Sequence, residues 1–151
     1  MSSSEREIEK LIYTYAELQD RTDLEAVAAL FAHGAFEVDT VASFEGADDV
    51  LAMKRRHDRM YPDGTLRTKH VTTNVIVEVD DDAGTAAARS YFTVFQATDG
   101  FPLQPIIAGR YHDRFRRIDG RWWFEHRLVL SDLIGDLSHH TVDNPLGRAP
   151  S

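Results

Sequence analysis

From Leu66 onward the chain alternates apolar and polar residues with a period of two, in segments near 66–79, 86–97, 104–118 and 121–131. Between them lie Asp80-Asp81-Asp82-Ala83-Gly84, Thr98-Asp99-Gly100 and Ile118-Asp119-Gly120-Arg121. Asp-Gly pairs supply the positive φ that tight hairpin turns require. Long strands joined by such short turns are expected to lie beside one another as an antiparallel meander.

The first half reads differently. In residues 5–19 an apolar stripe of Ile8, Leu11, Ile12, Tyr15, Leu18 and Gln19 recurs at helical spacing. Thr22, with Glu25 three residues on, forms a capping box for a second helix through Leu24, Val27, Leu30 and Phe31, which Gly34 stops. Phe36 to Val41 suits a short strand, with Ser43-Phe44-Glu45 returning beside it. A third helix is expected from Gly46, carrying Val50, Leu51, Met53, His57 and Met60 until Pro62. Helices first and strands after predict an α+β fold, with helices on one face of a curved antiparallel sheet. Residues 1–137 form one domain in this reading. Residues 138–151 form an aperiodic tail, either disordered or a flap over the mouth of the sheet.

Composition removes several function classes. The net charge of −8 argues against a nucleic-acid or anionic-membrane partner, because polyanions attract a positive footprint. The basic run Arg110, Arg114, Arg116 and Arg117 is interleaved with Asp113 and Asp119, and reads as a solvated or interfacial face. There is no cysteine, hence no disulfide and no thiolate ligand. None of the histidines forms a His-x-x-x-His pair, and His139-His140 in the tail reads as solvent-exposed, so no metal is expected. No dinucleotide fingerprint is present and no cofactor is expected; Gly109 reads as a bend or bulge glycine. The first residues lack the apolar core of a signal peptide, and no apolar run approaches the roughly 18 residues of a membrane span. A cytoplasmic location is the default expectation.

Two ionisable residues stand on or beside apolar faces: Asp20 at the end of the first helix and His70 in the first long strand. A carboxylate at a helix C-terminus opposes the macrodipole, which calls for an independent reason for its presence. If the fold joins the two, the acid would orient an imidazole for proton abstraction. On the same strand the even positions carry Thr68, His70, Thr72, Asn74 and Ile76, and are read as a pocket lining. The odd positions, Val71, Thr73, Val75, Val77 and Val79, are read as an outer face that packs on another subunit, giving a homodimer or homotrimer. On the last strand Trp122, Phe124, His126, Leu128 and Leu130 are expected to face inward, unless a bulge brings in Arg127 instead. Asn74, Tyr91, His126 and Arg127 are the further candidates for substrate contact.

This order of elements, ending in Tyr111-His112-Asp113-Arg114-Phe115-Arg116-Arg117-Ile118-Asp119-Gly120-Arg121-Trp122, resembles the nuclear transport factor 2-like cone. Residues 15–23, Leu30-Phe31-Ala32, Phe44-Glu45-Gly46 and residues 68–74 are similar to its SnoaL-like branch. That branch includes scytalone dehydratase, bile-acid 7α-dehydratase and hexachlorocyclohexane dehydrochlorinase. The resemblance spans about Ile8 to Asp132. It implies that the branch's helix aspartate falls on Asp20, its strand histidine on His70, and a tyrosine five residues before the aspartate on Tyr15. It further implies a cofactor-independent lyase or isomerase, dehydratase-like, whose His–Asp pair takes a proton from a small, cyclic, largely apolar substrate while Tyr15 donates a hydrogen bond. A non-catalytic binding cone, a subunit like the small subunits of ring-hydroxylating dioxygenases, and a polyketide cyclase are the alternatives.

Overall fold

The computed structural model describes residues 2–143. Helix α1 (Ser3–Asp20) is followed by α2 (Leu24–Ala29), the short strands β1 (Ala35–Val38) and β2 (Ala42–Glu45), and α3 (Gly46–His57). The long strands β3 (Thr68–Asp80), β4 (Thr85–Thr98), β5 (Phe101–Ile118) and β6 (Arg121–Ile134) complete the fold. The meander is antiparallel, as its turns require. The sheet as a whole is mixed, because β1 docks parallel to β6 and gives the order β2-β1-β6-β5-β4-β3.

The helices cover one face of this sheet, and the core lies between the layers. Ile8, Ile12 and Tyr15 of α1 meet Val27, Phe31, Phe36, Phe92, Tyr111, Phe115 and Phe124. Helix α1 carries a capping box of its own, with Ser2 accepting from the Glu5 amide while Glu5 accepts from the Ser2 amide. The box expected at Thr22 is absent: Asp23 is the N-cap of α2 and accepts from Ala26. Thr22 instead takes a φ of 61°, and its hydroxyl accepts from the Leu66 amide, tying the α1–α2 turn to the start of β3. Helix α3 ends at His57, earlier than Pro62 suggests. Asp58 leaves the helix because its backbone bridges Thr141 and its carboxylate accepts from Gln19 at 3.0 Å.

Two bulges decide which side chains face the core. On β3 the register slips between Thr73 and Ile76, and Asn74 has a φ of 55°. Thr68, His70 and Thr72 therefore turn inward before the slip, and Val75 and Val77 after it. The continuous outer valine face expected from strict alternation does not exist. On β6 the pairs Arg114–His126 and Phe115–Phe124 leave Glu125 unopposed. Trp122 and Phe124 point inward, and so does Arg127, while His126 swings to the outer face. Gly109 sits at a further slip, where a Cβ would lie 2.0 Å from the Leu130 carbonyl oxygen.

Candidate active site

Asp20 is the last residue of α1 and reaches across to the first residues of β3. Its Oδ1 accepts from the Thr68 hydroxyl at 3.0 Å and lies 2.6 Å from His70 Nδ1; its Oδ2 accepts from the His70 amide at 2.8 Å. These bonds offset the unfavourable end of the helix dipole, the independent reason that the sequence calls for. Both side chains are nearly enclosed, His70 at 8% and Asp20 at 11% exposure. Burial by itself would raise the Asp20 carboxyl. The hydrogen bonds and charge of His70, with help from Thr68, outweigh it and hold Asp20 below its ordinary value. An ionised carboxylate only accepts, so Nδ1 is the donor of this hydrogen bond, and in the neutral imidazole the lone pair falls on Nε2.

Tyr15 lies deeper. Its ring packs among Phe31, Phe36 and Tyr111, and its hydroxyl accepts from Lys54 Nζ at 2.9 Å. Burial raises its pKa, opposed chiefly by Arg127, whose guanidinium lies 4.5 Å from the ring centre. Arg127 is completely buried and donates from Nε and Nη2 to the two oxygens of Asp113, at 2.9 and 3.0 Å. Burial disfavours its charge, yet Asp113 more than compensates and raises its pKa. The guanidinium also stacks 3.7 Å above Tyr111. Nη1 is buried with no partner among the described residues.

The chain beyond β6 closes over this interior. The ring of His140 lies 6.4 Å from that of His70. Burial pushes the His140 imidazole down to about 4, so it is neutral near pH 7. His139 stacks on Phe101 at 4.3 Å and contacts Thr98, while His57 and Asp143 pair at 2.7 Å. The expectation of a solvent-exposed His139-His140 is thereby corrected. These rings reach the interior because Gln96 donates to the His139 carbonyl and the Arg59 amide to that of His140.

Of the sequence candidates, Asp20 and His70 meet, and Tyr15 and Arg127 share the interior with them. The other three do not. Asn74 is exposed at its bulge, because the left-handed turn of the backbone carries the side chain out. Tyr91 is 53% exposed on the outer face, opposite Thr73. His126 is displaced by the Glu125 bulge and pairs with Glu37 at 2.9 Å, beside an outer groove of about 370 Å³. The sequence reading missed Lys54, Asp113 and His140. Lys54 follows Val50 and Met53 on an apolar helical stripe, and Asp113 alternates with Tyr111 and Phe115; both patterns were there to be read. Among the described residues no three His, Asp or Glu side chains converge as a metal site would require.

Helices laid over a bent six-stranded sheet, with an enclosed carboxylate–imidazole pair between the layers, define a nuclear transport factor 2-like α+β cone. The chain belongs to the SnoaL-like domain family, which matches residues 1–128. Among solved structures it is similar to a Mycobacterium tuberculosis protein of unknown function, at 27% identity and a TM-score of 0.71 over 87% of this chain and 77% of that one. It is similar to a cystatin-like-fold protein of Novosphingobium aromaticivorans, at 25% identity and a TM-score of 0.69 over 84% and 80%. A protein of the same organism, provisionally assigned as a scytalone dehydratase, shares the fold at 24% identity and a TM-score of 0.68 over 97% and 95%. No curated protein matches the chain. No helix among the described residues is long and apolar enough to cross a membrane.

Proposed function

We propose that the protein is a cofactor-independent lyase or isomerase of the dehydratase type. The observation that carries this reading is the enclosed Asp20–His70 pair, in which the carboxylate lies 2.6 Å from Nδ1 and leaves Nε2, the lone-pair nitrogen of the neutral imidazole, as the one that can take a proton. His70 takes a proton from a carbon beside an electron-withdrawing group, and Asp20 stabilises the imidazolium that results. Tyr15 gives a proton to the departing oxygen, and Nη1 of Arg127 offers a further donor to developing negative charge. A positioned general base is worth about 10²–10⁴-fold in rate. The aromatic walls around Tyr15 suit a small, cyclic, largely apolar substrate.

The test is a panel of cyclic β-hydroxy ketones in deuterated buffer, with loss of water followed by absorbance and carbon–hydrogen exchange by NMR. Wild type is expected to react, and His70→Ala and Asp20→Asn to lose at least about 10²-fold while keeping wild-type circular dichroism. Folded variants that both keep the activity would reject the pair as the base. Ligand binding without turnover in any variant would make the protein a binding cone or an assembly subunit. Ring closure of a linear poly-β-ketone would make it a cyclase.

We also infer a homodimer or homotrimer through the outer sheet face, where Val71, Ile76 and Tyr91 stand 41%, 47% and 53% exposed. A monomer in light scattering at micromolar concentration would overturn that assignment.

A further inference from the structure

Lys54 is the interior residue whose presence the proton-abstracting pair does not explain. It is 6% exposed on α3, between the aromatic rings of Tyr15 and Phe36, with Nζ 5.2 and 4.8 Å from their centres. Its ammonium donates to the Tyr15 hydroxyl at 2.9 Å. Among the described residues Lys54 takes part in no ion pair, and Asp58, one turn further along, accepts instead from Gln19. Removing an ammonium from water without a carboxylate partner is costly, and burial accordingly holds the Lys54 pKa below its ordinary value, with Asp58 and Tyr111 favouring the charge and Arg127 opposing it. The structure places that charge on the one oxygen that becomes negative if Tyr15 gives up its proton.

We propose that Lys54 is the positioning residue that makes Tyr15 the acid of the site, an inference that rests on the lyase reading above. The ammonium occupies a lone pair of the phenol oxygen, which turns the Tyr15 O–H away from Lys54 and frees it to donate elsewhere. When the proton passes to the departing hydroxyl, water leaves and the phenolate remains in contact with Lys54. The proton that His70 took from carbon then returns to that phenolate, and both groups are reset. Arg127 is the other cation near the ring and the group that most opposes the effect of burial on Tyr15, but Asp113 holds its guanidinium and Lys54 is the cation in contact with the phenol oxygen. Asp20, Asp58, Asp113 and Tyr111 are further titratable groups around Tyr15.

The full chain carrying 3,5-difluorotyrosine at position 15 tests this without any substrate. Absorbance titration reads the ionisation of that phenol directly. Lys54→Met is expected to raise the midpoint by about one pH unit or more, a tenfold change in the ionisation constant. An unchanged midpoint in the folded variant overturns the proposal. If Lys54→Met does not fold, the ¹³Cε shift of Lys54 in the otherwise unaltered protein is expected to move at the same pH as the phenol absorbance; independent titrations overturn the proposal. His70→Ala is expected to leave the titration in place while abolishing turnover. A shifted midpoint in a protein that turns over no substrate would reject the lyase reading and not the Lys54–Tyr15 coupling.

Discussion

Asp113 and Arg127 stand directly opposite each other on β5 and β6 and form a two-point ion pair with neither side chain exposed. A buried pair repays its desolvation only when its geometry satisfies both charges. Here the pair fixes a guanidinium against Tyr111 and Tyr15, inside the same interior as the candidate base.

Breaking that pair from one side should be severe. Asp113→Leu or Arg127→Leu is expected to cost about 3–5 kcal/mol, because each leaves an uncompensated buried charge. The double substitution should cost much less than the sum of the two. Urea denaturation of the three variants measures this, and additive losses would show that the two residues do not act as a unit.

Acid should destabilise the fold in two stages with separate causes. His140 titrates at about 4 in the folded chain against 6.5 as a free side chain. Its depressed value means that the unfolded state binds the extra proton first, so its contribution is full above pH 6.5 and lost as pH falls to 4. Asp20, held below its ordinary value of 3.8, contributes above that pH and loses its contribution as pH drops through the lower folded value. Thermal melts from pH 7.5 to 3 should show His140→Phe flattening the upper stage and Asp20→Asn the lower. Unchanged profiles in both variants would contradict these assignments.

Gly109→Ala should fold poorly. The added Cβ would meet the Leu130 carbonyl at 2.0 Å and the Phe92 ring at 2.9 Å, so β5 and β6 must separate. A loss of about 3 kcal/mol is expected in chemical denaturation. A neutral effect would mean that the strands part more easily than their pairing suggests.

The helices and the meander were legible because each has a local signature, helical spacing and Asp-Gly turns. An acid at the wrong end of a helix dipole marks Asp20, but its partnership with His70 follows only from the family resemblance. The facing of residues beyond the bulges was less so. Glu125 carries no mark that distinguishes an unopposed strand residue from a paired one, and one such residue exchanges His126 for Arg127. Asn74 offered a partial clue, since asparagine tolerates the left-handed backbone found there. The docking of His139 and His140 depends on Gln96 and Arg59, distant in sequence, and no local pattern announces it.

The unopposed Glu125 is the odd residue that lets Phe124 and Arg127 face the same side of β6. Deleting it would restore plain alternation and leave the inward guanidinium and the outward His126 where they are, so what its loss removes is the local bend of the strand. Lineages built on this scaffold can therefore gain or lose that bend without changing the permanent cation inside the cone.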